Sequence, residues 1–325
     1  MSNTASADTI RQQRWSLASA ARSGLAAWAI VAFLIVGLTL RDASGFWAPA
    51  NLANVLTATV VLGLVALGQH LVVLTGGIDL SVGSMASLSA LLTAVLINGY
   101  PIRTLPVIVA MVALGALVGA AHGMFVSRFG LAPFVVTLAT FYLLQGVAFM
   151  ISTTPTGQVT TVLANIGLQR TGPIPWALPV LITAVLIVGA VLRSTAFGRH
   201  IYAVGGDPDA ARSNGVPVSR TILLAYASAT ALAALAGVVL SARATIGSPT
   251  AGLGLELSAI TVVVIGGTSL LGGRGSLVGT LGGVMLLALI ESSFTLLQLP
   301  ATLTDLIRGL VILAAAAIFV TRDRR

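Results

Sequence analysis

A chain of 325 residues that is 57% hydrophobic and 8% charged, with a mean hydropathy of +1.02, cannot wet its surface as a soluble domain does. Such domains carry about 25% charged residues, so most of this exterior must face lipid. All 17 basic residues are arginines, most set singly between apolar runs, and the net charge of +8 therefore reads as a membrane-orientation signal and not as a nucleic-acid footprint.

Residues 1–22 are polar and include Arg11, Arg14 and Arg22, which reads as a cytoplasmic tail ahead of one transmembrane domain, 23–325. The apolar run 23–40 is longer than a secretory core and lacks a small-residue cleavage site, so it reads as a retained first span. With about 20 apolar residues per crossing, further spans are expected at 52–75, 82–98, 104–127, 131–152, 175–192, 219–241, 254–270, 276–297 and 302–321. The predicted fold class is all-α: a polytopic helix bundle of about ten spans. With the amino terminus inside, twelve arginines fall on the cytoplasmic side and Arg41, Arg103, Arg170 and Arg243 outside, with Arg308 inside the last span and counted for neither, which predicts both termini in the cytoplasm.

Several short patterns stand out along these spans. The pairs Gly76-Gly77, Gly266-Gly267 and Gly272-Gly273 are each able to interrupt a helix, and interrupted backbone at membrane depth is tolerated only inside protein or beside a watery cavity. After the first pair, Asp79 and Ser81 either cap the next helix or present oxygens to a polar solute. Gly115, Gly119 and Gly123 repeat every fourth residue, as do Gly275, Gly279 and Gly283. Each triplet makes a flat strip against which another backbone packs closely or slides. On the fifth span Phe134, Thr137, Phe141 and Gln145 share one helix face, a stripe that either lines a pathway or fills a core.

The longest polar island is "GRHIYAVGGDPDAARSNGVPVSR", residues 198–220. Asp207 suits a helix N-cap, Pro208 the first helical position and Asp209 the positive end of the dipole, while Asn214-Gly215 is a stop signal. The resulting helix is too short to persist alone in water and needs a partner surface.

This island resembles the cytoplasmic coupling loop in the permease subunits of ribose-type monosaccharide ABC importers. "LTGGIDLSVGS" (74–84), "PFVVTLAT" (133–140) and "GGTSLLGGRGSLVGTLGG" (266–283) resemble further segments of that family, in its order. The resemblance implies a permease of the bacterial inner membrane that pairs with a second permease subunit, identical or paralogous. It implies that Asp207, Asp209, Ala210, Ala211, Arg212 and Gly215 engage an ATP-binding subunit. A soluble or lipid-anchored sugar-binding protein would deliver the substrate, with residues 153–174 as a landing surface. Gly76, Gly77, Asp79, Ser81, Phe134, Thr137, Phe141 and Gln145 are the candidate pathway residues. Glu291-Ser292, Gln145 and "TTPTGQV" (153–159) depart from the family pattern and leave the sugar open.

Fuel has to come from elsewhere, because a P-loop needs a lysine and this chain has none. No cofactor is expected here; ATP and magnesium would sit on the partner ATPase. An ion-coupled carrier is the alternative transport reading, with Asp79, Glu256, Glu291, Asp305, His70 and His122 as the groups it would use. A membrane-embedded enzyme finds less support: no His-Glu-x-x-His motif occurs, the three histidines are far apart, and the serine of "GTSLLGG" does not fit Gly-x-Ser-x-Gly. With no cysteine, disulfides and thiolate metal sites are excluded.

Overall fold

The computed structural model describes residues 4–296 together with positions 306 and 309. Its elements in order are α1 (Thr4–Phe46), α2 (Pro49–Leu74), α3 (Val82–Ile97), a 3-10 turn (Pro101–Arg103), α4 (Thr104–Arg128), α5 (Pro133–Ile151) and α6 (Thr161–Leu168). A two-residue hairpin follows, β1 (Arg170–Thr171) and β2 (Ile174–Pro175), then α7 (Leu178–Ser194), α8 (Ala196–Gly206), α9 (Pro208–Ser213), α10 (Val218–Ala244), α11 (Leu255–Ile265) and α12 (Leu277–Leu296). The fold is an all-α polytopic bundle.

Six of the described helices are long and apolar enough to cross a membrane, and a seventh crossing is reached if α7 and α8, bent by 74° at their junction, count as one. These correspond to the predicted spans 23–40, 52–75, 104–127, 131–152, 219–241, 276–297 and 175–192. The first helix already begins at Thr4, so the segment read as a tail continues it. Span 302–321, with Asp305, lies outside the described residues apart from two positions.

The remaining two predicted spans are part-length helices. At 1.5 Å per residue the 16 residues of α3 reach about 24 Å and the 11 of α11 about 16 Å, short of the 30 Å hydrocarbon layer. Irregular backbone makes up the difference. Before α3 it is segment 75–81; before α11 it is segment 245–254, which doubles back along α3, with Gly247 against Leu91 and the Gly252 N–H donating to Ser87 Oγ at 2.9 Å. The first turns of α3 and α11 consequently meet, Gly83 lying against the Glu256 carboxylate and the Gly252 carbonyl.

Small residues hold the centre together. Gly115, Gly119 and Gly123 are buried on α4 and lie against Thr230 O, Tyr226 O and Leu223 Cα of α10, where any side chain would collide with backbone. Without a hydrophobic drive between helices in lipid, such close approach supplies the packing. The second triplet works similarly: Gly283 meets Val262 O of α11, Gly279 meets Gly266, and Gly275 faces Thr268 and Leu74. Helix α2 is the hub, buried over most of its length and packed by α10, α11, α12 and α7.

Candidate functional site

The polar island folds as α8 followed by α9. Asp207 caps α9 as expected, its Oδ1 accepting from the N–H groups of Asp209 at 2.9 Å and Ala210 at 3.0 Å. Gly215 closes the far end with φ of +78°, a conformation that favours glycine. There the Gly215 N–H donates to Arg212 O and the Val216 N–H to Ala211 O, each at 3.0 Å. Ala211 is buried against Val204 and Val218, whereas Asp209, Ala210 and Arg212 are exposed. Asp209 and Arg212 pair across one turn at 2.8 Å. The outcome is a knob with one anchored residue and a polar outer face.

This knob is seated on the glycine breaks. Gly205 of α8 lies against Leu74 O and Gly273 N, Gly272 against Gly76 N, and the Gly273 N–H donates to Leu74 O at 2.9 Å. Segments 75–84 ("TGGIDLSVGS") and 265–276 ("IGGTSLLGGRGS") thus meet at the end of the bundle that carries α9.

From that junction the chain turns inward to Asp79. Several polar groups of this short segment find partners, as burial in lipid demands. The Gly77 N–H donates to Val72 O at 3.1 Å, and Thr137 Oγ1 of α5 lies 3.2 Å from Ile78 O. The Gln69 amide, oriented so that both its ends are paired, donates to Asp79 O at 3.0 Å and accepts from Asp79 N at 3.2 Å. Asp79 Oδ1 accepts from Ser81 N at 2.8 Å and Ser81 Oγ at 2.6 Å, so the carboxylate closes the turn that starts α3. Its Oδ2 accepts from Thr230 Oγ1 at 3.3 Å and lies 3.6 Å from His122 Nδ1.

Asp79, Ser81, Thr230 and Tyr226 have no exposed surface and His122 only 2%. Thr230 falls near the middle of the 27-residue α10, so this cluster sits halfway through the bundle. Neither ring nitrogen of His122 makes a hydrogen bond, nor does the Tyr226 hydroxyl, which rests on Gly77. The His122 and Tyr226 rings stand edge to face at 6.1 Å. His70, also buried, has Nδ1 within 2.9 Å of Thr280 Oγ1 and 3.1 Å of Thr268 Oγ1, linking α2 to α12 and to the second break.

The candidate pathway residues divide. Gly76, Gly77, Asp79 and Ser81 form the central break, with Thr137 joined to it, while Gln145 is buried further along α5 and donates to Pro249 O at 2.9 Å. Its carbonyl oxygen has no partner. Phe134 is 54% exposed and Phe141 half-buried against Tyr142, so the aromatic members do not converge on Asp79. Of the neighbours of Asp79, His122 is named by the sequence only under the carrier reading, and Tyr226 and Thr230 are not named at all. The signal was a histidine flanked by the strip glycines Gly119 and Gly123.

Comparison with known proteins places the chain in a family. The family described as branched-chain amino acid transport system, permease component, matches residues 51–316. The ribose import permease protein RbsC of Escherichia coli K12 is 35% identical over 296 residues, 89% of this chain and 91% of its own length. RbsC of Bacillus subtilis is 37% identical over 287 residues (87% and 88%), and the fructose import permease protein FrcC of Rhizobium meliloti 34% over 282 (84% and 78%). No solved structure matches. A chain that carries a family's pattern from its second helix almost to its end, on a bundle of membrane-crossing helices, belongs to that family of transport-system permease components.

Proposed function

We propose that this chain is the membrane-spanning permease subunit of an ATP-driven bacterial importer of a monosaccharide, of the class of ribose or fructose. It is a transport component and not an enzyme, and it lies in the inner membrane as a multi-pass protein. The observation that carries the reading is the capped α9 knob, seated through Gly205 on both glycine breaks, in a chain without lysine.

In this reading Asp209, Ala210 and Arg212 form the face offered to an ATP-binding subunit, and Asp207, Ala211 and Gly215 hold that face in shape. ATP and magnesium belong to that partner. Motion of α9 is passed to Gly205, to the junction at Leu74 and Gly273, and on to the central break. Ten crossings follow if α3 and α11 each count with their adjoining irregular segments and 302–321 is the last, with both termini cytoplasmic. A second permease subunit completes the pathway, and the outer segment 153–174 receives a soluble sugar-binding protein. That segment packs on the far end of α10, where Gly167 meets Ala242 and Arg243.

Reconstitution tests this. Vesicles holding the permease, its ATP-binding subunits and the binding protein should accumulate labelled ribose or fructose only when ATP is supplied. Uptake by the permease alone on a proton or sodium gradient would favour the carrier reading, for which the mid-bundle Asp79 and His122 are the observation.

A further inference from the structure

Where α4 ends and α10 begins, a cleft of about 510 Å³ is lined by Ser127, Arg128, Arg212, Ser219 and Arg220. Three guanidinium groups border it. The nearby carboxylate of Asp209 is taken by Arg212, and among the described residues neither Arg128 nor Arg220 pairs with a carboxylate. Ser127 Oγ is shielded from solvent without a hydrogen-bond partner. Helix α10 opens here with no capping side chain, leaving the first-turn N–H groups of Ser219 and Arg220 without that partner. Its polar side chains are hydroxyls and guanidinium groups, set beside the apolar Val216, Pro217, Val218 and Leu223.

Depth decides what would fill it. The 27 residues of α10 span about 40 Å, close to the thickness of a bilayer with its headgroups, so its first turn lies at headgroup level. Arg128 ends α4 at the same place. Beside it Phe125 and Phe129, 40% and 64% exposed, stand 5.6 Å apart. Exposed apolar rings beside arginine at the end of a span suit the boundary of the acyl layer, where the rings stay among the chains and the guanidinium reaches the headgroups. We propose that this cleft binds the phosphate of an anionic phospholipid, held by Arg128 and Arg220 with Arg212 at its rim. Arginine forks suit phosphate oxygens, and basic pockets at span ends recruit acidic headgroups. The leaflet, cytoplasmic, rests on the orientation proposed above; the headgroup contact does not.

The test uses the permease copurified with its ATP-binding subunits in phosphatidylcholine nanodiscs titrated with phosphatidylglycerol, retained lipid being read by native mass spectrometry. Wild type should retain phosphatidylglycerol over phosphatidylcholine. The double variant R128Q/R220Q should weaken that retention about tenfold or more, each single change severalfold, and R128K/R220K should keep most of it. The single and lysine variants decide the matter if the double variant does not fold. Equal retention by wild type and the glutamine variants overturns the proposal. So does loss of the ATP-binding subunits with lipid retention intact, which would make the cleft a protein contact. Binding of inorganic phosphate without preference for phosphatidylglycerol overturns it in favour of a free anion. Because none of these readouts involves sugar uptake, the lipid site can fail while the importer reading stands, and the reverse.

Discussion

A carboxylate halfway through a bilayer must either lose its charge or be surrounded by donors. At Asp79 the donors are two from Ser81 and one from Thr230, with the His122 ring of α4 facing the carboxylate at 3.6 Å. His122 makes no hydrogen bond of its own, so its role is tested by what replaces it. Truncation to alanine leaves a buried acid short of its counter-group, a change that costs about 3–5 kcal/mol where the pair is ionised. His122→Asn retains a donor near the Nδ1 position. Detergent-purified His122→Ala should therefore unfold at a markedly lower temperature than wild type, with His122→Asn falling between them. If the two variants unfold together, the contact with Asp79 contributes nothing. Sequence reading found Asp79 but offered two uses for it, cap or ligand; the side chain accepts from Ser81, the residue before α3, and not from the N–H groups of the helix's first turn, and it has no exposed surface. Its partners at 122 and 230 are over forty residues away, and no local rule pairs residues at that separation.

Elements were legible where one pattern runs the length of a helix. The long spans and the capped α9 follow from apolar length and from the Asp207, Pro208 and Gly215 signals. The part-length α3 and α11 were read as full crossings because hydropathy records composition and not depth: 82–98 matches α3 in extent but is too short to cross, and 266–270, counted in a span, lie past the end of α11. Only the glycine pairs hinted at broken helices. For α9 the physics is stringent, since six residues cannot hold a helix without their caps. Removing the Asp207 side chain costs about 1 kcal/mol of local stability, a large share for so small an element. Asp207→Ala and Arg212→Glu should both insert normally, yet move far less sugar for each ATP hydrolysed by the assembled transporter. The first acts by loosening the knob, the second by reversing charge on its exposed face. Uptake that stays in proportion to hydrolysis in both variants would remove α9 from the coupling path.

For the whole molecule, orientation joins these parts into one argument. Helix α9 sits at the start of α10 and α6 packs at its other end, so the two lie on opposite sides of a 27-residue span. The proposed orientation, argued from the arginine count, has α9 inside and α6 outside, and both the coupling reading and the leaflet of the lipid site depend on that sign. The chain has no cysteine, so a single introduced thiol reports alone. Ser213 at the end of α9 and Thr161 at the start of α6 are exposed, and neither side chain makes a hydrogen bond with another described residue. In intact spheroplasts a membrane-impermeant maleimide should label Thr161→Cys and leave Ser213→Cys untouched until the cells are lysed. The reverse pattern would turn the bundle over, placing the knob where no ATP-driven subunit can reach it. Labelling of both positions before lysis would mean that the segments share one side, which a continuous α10 spanning the bilayer does not permit.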